Sequence, residues 1–231
     1  MTAVFFDLDD TLLDHSGAER SAAILFYESV ADRTKASSSE DFAAHWKVVQ
    51  DREMSRYLAG ELSFQQQRRE RLRGILDSPL SDSEADDLFS VYLKHYEASW
   101  ATFPDVIPCL ESISSDYVAI ITNGDPEQQR KKLTSTGLAD RFADVVTSGD
   151  FGHAKPDRRI FLHACERAGV SPDNAVHIGD SAETDYAGAC AAGLHGILIA
   201  RHDNDATADS SIVTIRSLRE AGSAIEKAIS V

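Results

Sequence analysis

The alternation of apolar and polar positions changes character twice along the chain. Val4, Phe5 and Phe6 form a short apolar run bounded by Asp7, Asp9 and Asp10, which predicts a buried parallel strand with carboxylates at its carboxyl end. From about Ser16 to Trp100 no strand pattern follows. Apolar residues recur at helical spacing instead: Ala22 and Phe26, then Phe42, Trp46 and Val49, continuing to Met54 and Tyr57. Two further helices are announced by capping boxes, Ser63-Phe-Gln-Gln66 and Ser81-Asp-Ser-Glu84. Apolar positions follow each box at helical spacing, Phe64, Leu72 and Ile75 in the first case and Ala85, Leu88, Tyr92 and Tyr96 in the second.

After Phe103-Pro104 the pattern alternates between strand and helix, which predicts a parallel sheet. Strands are expected at 117–122, 144–147, 176–179 and 196–200, with a short last one near 212–215 and a helix at the C-terminus. The intervening helices start at Asp125-Pro126, Asp157 and Glu183, and are closed by Gly137, Gly169 and Gly193, the residue type that takes the left-handed closing conformation without strain. A polar stretch at 202–211 reads as a loop. The expected fold class is α/β: a Rossmann-like parallel sheet with helices on both faces, interrupted after its first strand by an all-helical insert. Residues 1–14 and 101–231 would form the sheet domain and 15–100 the helical one, with linkers at 10–18 and 99–104.

Composition narrows the function. The chain has 231 residues, 42% of them hydrophobic, enough for a packed core. A formal charge of -15 argues against a nucleic-acid polymer or an acidic membrane surface as the partner, because no basic field exists to release counterions. An anionic substrate would need a cation or a few placed Lys and Arg residues. No basic start or long apolar stretch precedes Asp7, and no membrane-length apolar run occurs, so a cytoplasmic protein, monomer or homodimer, is expected. Cys109, Cys165 and Cys190 are too widely spaced for a zinc site or a disulfide framework and read as small buried residues.

The candidate chemistry lies at strand ends. Strand one ends in Asp7-Leu-Asp9-Asp10-Thr11, strand two in Thr122-Asn123-Gly124-Asp125, and strand four in Gly179-Asp180 with Asp185 beyond; Lys155-Pro156 follows strand three. Singly these are ordinary turns and caps. Together they bring carboxylates, a hydroxyl, an amide and an ammonium to one edge of a parallel sheet, where open α/β folds bind ligands. Asp7 and Asp180, with a backbone carbonyl, offer the hard oxygens that Mg²⁺ prefers. Lys155 and Thr122 can hold phosphoryl oxygens, giving the charge stabilisation on which phosphoryl transfer depends.

These four motifs, in this order, resemble the haloacid dehalogenase (HAD) superfamily, and the insert after motif one resembles its C1-type cap. The resemblance implies that Asp7 is a nucleophile forming an aspartyl-phosphate, and that Asp9 is a general acid that later activates water. It implies further that Thr122, Asn123 and Lys155 bind the phosphoryl group, that Asp7, Asp9 and Asp180 belong to a Mg²⁺ site, and that Asp185 orients Lys155 or a metal-bound water. True dehalogenases of this fold lack an acid at the position of Asp9, so its presence favours phosphate chemistry. A phosphomutase, a haloacid dehalogenase and a non-catalytic binding protein on the same scaffold are the alternatives.

The segment 57–68, the run Ile121-Thr-Asn-Gly with Gln128-Gln129, and Lys155-Pro156 before Ile160-Phe161 are similar to the branch that holds pyrimidine 5′-nucleotidases and N-acylneuraminate-9-phosphatases. That points to a small phosphomonoester, a nucleoside 5′-monophosphate or a sugar phosphate. Arg68, Arg69, Arg71 and Arg73, with Lys47, Arg52 and Arg56, read mainly as a solvated helix face. Trp46 reads as core, and His15 and Tyr57 as candidates for substrate contact.

Overall fold

A computed structural model of the protein describes residues 1–201 and 212–229; the loop expected at 202–211 lies outside the described residues. The chain divides into two compact units, Met1–Asp14 with Thr102–Val231, and His15–Ala101.

The first unit is built on a six-stranded parallel sheet: β1 Ala3–Phe6, β2 Tyr117–Thr122, β3 Val145–Thr147, β4 Ala175–Gly179, β5 His195–Ile199 and β6 Thr214–Ile215, in the order β3-β2-β1-β4-β5-β6. This is the α/β architecture that the alternating pattern predicts. Side chains on a strand alternate between faces, so each strand feeds two cores. Val4, Phe6, Ile120, Val176, Ile178 and Ile197 meet residues of the helices Val106–Ser112 and Ala221–Ile229 on one face. Ala3, Phe5, Ala119, Ile121 and Ala175 meet residues of Arg158–Ala168 and Gly188–Ala192 on the other.

β1 sits between β2 and β4, where chain direction through the sheet switches from leftward to rightward, and its register aligns Phe6 with both Ile120 and Ile178. The ladder continues one step further, since the Asp7 amide donates to Ile178 O at 2.8 Å. Asp7, Thr122 and Asp180 therefore leave the sheet within one residue of the same level, at the switch point of strand order where open α/β folds bind their ligands.

In the second unit four helices, His15–Tyr27, Ser39–Leu58, Phe64–Ile75 and Asp82–Ala98, pack around an aromatic core. Both capping boxes form as the sequence predicts, with Ser63 and Gln66, and Ser81 and Glu84, bonded reciprocally. Trp46 is buried, with its ring centroid 4.2 Å from that of Tyr92. Two sequence expectations need correction. Arg71 does not lie on a solvated face: it is buried and donates to Gln50 Oε1 at 2.9 Å, because the inner face of its helix carries Gln67 and Arg71 beside Leu72 and Ile75. Cys190 is exposed, whereas Cys109 and Cys165 are buried. No helix among the described residues is long and apolar enough to cross a membrane.

Candidate active site

β1 ends at Phe6, so Asp9 reaches the site through a turn and not through strand alternation. Leu12 and Leu13 amides both return to Leu8 O, and Asp10 adopts a left-handed conformation with φ 59°. Asp is among the few residues other than glycine that tolerate this region. The turn sends Asp9 toward one neighbour and Thr11 toward another, with Thr11 Oγ1 donating to Asp180 Oδ1 at 3.4 Å.

Lys155 is the hub. Its ammonium donates to Asp7 Oδ1 at 2.6 Å, to Asp185 Oδ1 at 2.5 Å and to Ile121 O at 3.0 Å, which engages all three protons. A phosphoryl oxygen would have to replace one of these partners. Asn123 sets the position of this lysine rather than offering its amide to solvent: Nδ2 donates to Lys155 O at 3.1 Å and Oδ1 accepts from the Lys155 amide at 2.8 Å. Thr122 Oγ1 accepts from Gln129 Nε2 at 2.7 Å.

Asp185 lies on a π-helical turn, Ala182–Ala187, which precedes the helix Gly188–Ala192; wide turns of this kind recur at functional sites. Its Oδ2 accepts from the Ser181 amide at 3.1 Å, and its Oδ1 lies 2.9 Å from His177 Nε2. Gly179 has to be glycine here, since a Cβ would come within 2.2 Å of the Asp185 carboxyl carbon.

The electrostatics follow from burial and crowding. Burial pushes the Asp7 carboxyl well above the usual range, Asp185, Asp180 and Asp9 push the same way, and Lys155 offsets only part of this. Burial and the neighbouring Asp185 and Asp10 push Asp180 up to about 7. Asp185 goes the other way: burial opposes its ionisation, but Lys155 and His177 hold its carboxyl below the ordinary value. Burial also works against the Lys155 ammonium, yet Asp185 and Asp7 together raise it. Burial pushes His177 down, against the pull of Asp185, whose Oδ1 its Nε2 faces.

Asp7, Asp180 and Asp185 each bring an oxygen within 4.8 Å of the others. Three carboxyls thus crowd round one ammonium, that of Lys155. This donor set fits a hard divalent cation held mainly by Asp7 and Asp180, because Asp185 already serves Lys155 and His177. The Asp9 side chain has partners of its own. Its Oδ1 and Oδ2 each lie 2.7 Å from Lys132 Nζ, and Gln129 Nε2 donates to Oδ2 at 3.0 Å.

Lys132 and His177 are site residues that the motif reading does not single out, and Gln129 enters it only as part of the run that resembles one phosphatase branch, with no role given. Gln129 and Lys132, at i and i+3, lie on the buried face of the helix Pro126–Ser135 together with Leu133. A lysine and a glutamine on an inward face are the sequence signal that points to them. His177, polar in an otherwise buried strand, is the corresponding signal in β4.

The comparisons with known proteins agree with this architecture. N-acylneuraminate-9-phosphatase of Rattus norvegicus is 29% identical over 208 residues, covering 83% of this chain and 79% of that protein. Glyceraldehyde 3-phosphate phosphatase of Methanothermobacter thermautotrophicus is 29% identical over 205 residues, covering 86% and 85%. The HAD-hydrolase YfnB of Bacillus subtilis, solved bound to magnesium, superposes with a TM-score of 0.80 at 24% identity over 97% of this chain and 98% of that one, and shares the fold. A model of the haloacid dehalogenase-like hydrolases matches residues 1–193, and the chain belongs to that family of enzymes.

Proposed function

We propose that this hydrolase is a Mg²⁺-dependent phosphomonoesterase for a small phosphorylated metabolite, a nucleoside 5′-monophosphate or a sugar phosphate, working through an aspartyl-phosphate. The observation that carries the reading is the pairing of Asp7 Oδ1 with Lys155 Nζ at 2.6 Å beside a second carboxyl, Asp9, placed separately by Lys132. The phosphatase relatives support the same reaction class.

Asp7 is the nucleophile. Lys155 orients its carboxylate through Oδ1, and Oδ2 is the atom assigned to attack phosphorus. As the new P–O bond forms, the bond to the leaving oxygen breaks and Asp9 delivers a proton to that oxygen. In the second half-reaction Asp9 takes a proton from water, the water oxygen attacks the aspartyl-phosphate, and Asp7 is regenerated as inorganic phosphate leaves. Thr122 and Lys155 bind phosphoryl oxygens, Lys155 by exchanging one of its three present acceptors. Asn123 contributes by holding the Lys155 backbone. Asp180 and Asp7 would hold Mg²⁺, which when bound supplies charge neutralisation at the phosphoryl oxygens. The helical unit is proposed to be the cap.

The test is phosphate release with Mg²⁺ from a panel of p-nitrophenyl phosphate, nucleoside monophosphates and sugar phosphates. Asp7→Asn is expected to abolish turnover, and Asp9→Asn to reduce it by about 10²–10⁴-fold. A protein that binds Mg²⁺ yet hydrolyses nothing on the panel, or an Asp7→Asn variant that works at the wild-type rate, would refute the proposal.

A further inference from the structure

Lys132 belongs to no sequence motif and Gln129 has no role assigned by the one it falls in, yet both make close contacts to Asp9. The Lys132 ammonium is 3% exposed and equidistant, at 2.7 Å, from the two oxygens of the Asp9 carboxylate, which is itself 24% exposed. Gln129 Nε2 divides its reach between Asp9 Oδ2 at 3.0 Å, Thr122 Oγ1 at 2.7 Å and Asn123 O at 3.2 Å. Both side chains rise from one face of a helix whose start is pinned by Asp125, whose side chain accepts from the Gln128 amide.

Asp9 sits in a turn beyond the strand end, where the backbone alone leaves its χ1 and χ2 unset. A proton donor has to aim one oxygen at the leaving group, and each freely rotating bond lowers the fraction of time that it does. Lys132 reaches both oxygens and Gln129 reaches Oδ2, and together they hold the plane of the carboxyl. Burying a lysine is unfavourable unless it is paired, and Asp9 is the carboxylate that pairs it.

We infer that Lys132, with Gln129, is a positioning residue that aims Asp9 at the leaving oxygen; this rests on the proposed role of Asp9 as general acid. The inference identifies the leaving group as the part of the substrate that senses Lys132. An alkoxide needs the proton as the P–O bond breaks, whereas p-nitrophenolate departs without it.

The experiment compares kcat/KM for glycerol 1-phosphate and p-nitrophenyl phosphate in the wild type, Asp9→Asn, Lys132→Met and Gln129→Leu. This parameter reports steps up to departure of the leaving group, so the later role of Asp9 as base does not enter. The alkyl-to-aryl ratio is also independent of how much of a variant is folded, because both substrates sample the same active molecules. Lys132→Met is expected to lower the ratio about tenfold or more, and Gln129→Leu to lower it as well. Gln129→Leu keeps the test open if Lys132→Met does not fold. A ratio that stays within about threefold of wild type in these two variants, or that rises, overturns the inference; if Asp9→Asn lowers the ratio all the same, the proposed function stands. If Asp9→Asn leaves the ratio unchanged, the acid role of Asp9 falls, and the inference with it.

Discussion

Replacing Lys155 with Met removes an ammonium of similar length from between two buried carboxyls. In the wild type that ammonium lies 2.6 Å from Asp7 Oδ1 and 2.5 Å from Asp185 Oδ1, with side-chain exposures of 2% for Lys155, 8% for Asp7 and 2% for Asp185. At an effective dielectric of about 20, each such contact carries roughly 6 kcal/mol of Coulombic attraction, most of it offset by desolvation of the three groups. Removing the cation alone leaves the desolvation uncompensated, and the expected loss is about 3–5 kcal/mol at pH 8. Without Lys155 both carboxyls would have folded-state pKa values above their unfolded ones, so the variant loses stability as pH rises. In the wild type Asp185 is held low, and its contribution is present above the unfolded carboxylate value and lost only as pH falls below it. The difference between the two proteins is therefore largest at pH 8 and shrinks to about 1–2 kcal/mol near pH 5. Urea unfolding of the metal-free protein, followed by far-UV circular dichroism, measures it: the midpoint should fall by about 1–2 M at pH 8. A loss below about 1 kcal/mol at pH 8, or an equal loss at both pH values, would refute the assignment of Lys155 as the compensating charge.

Asp180 makes the opposite prediction. Its folded-state pKa of about 7 exceeds the ordinary 3.8, so its ionisation removes stability as pH rises between these values. Metal-free Asp180→Asn should then be more stable than wild type at pH 8, by about 1–3 kcal/mol, and Mg²⁺ is expected to raise the Tm of the wild type but not of the variant; a thermal-shift titration at pH 5.5 and pH 8 reads both. Gly179→Ala places a methyl within 2.2 Å of Asp185, so a loss of about 1–3 kcal/mol in urea unfolding should accompany a fall in turnover, and retention of both would contradict the packing. Asp105 accepts from Ser217 Oγ at 2.8 Å, from the Leu218 amide at 2.9 Å and from both terminal nitrogens of Arg201 at 3.2 Å. Asp105→Ala should cost about 3 kcal/mol by leaving Arg201 uncompensated, and an unfolding midpoint unchanged from wild type would show that this network adds no stability.

The strands, the helical insert and the capping boxes were readable because each is a local pattern: alternation, a 3.6-residue period, or a cap three residues from its partner. Strand ends came within a residue or two of their expected places. The departures have a common origin. Periodicity says which side chains face inward but not what they meet there, so charge alone makes Arg71 read as solvated and leaves Lys132 without a role, although both point inward. His177 stood in a buried strand with nothing in its neighbours to name Asp185, eight residues on, as its partner.

For the site, the sequence alone determined that Asp7, Thr122 and Asp180 each close an apolar run, and parallel register then brings them to within one residue of the same level. Tertiary structure decided the pairings. The turn through left-handed Asp10 carries Asp9 to the face of Lys132 and Gln129, more than a hundred residues away in the chain. The π-helical turn draws Asp185 against Gly179 and under Lys155. A carboxylate's charge and type are written in its own residue, but its protonation, its orientation and its fitness for a cation depend on burial and on the charges packed against it, and these exist only once the chain has folded.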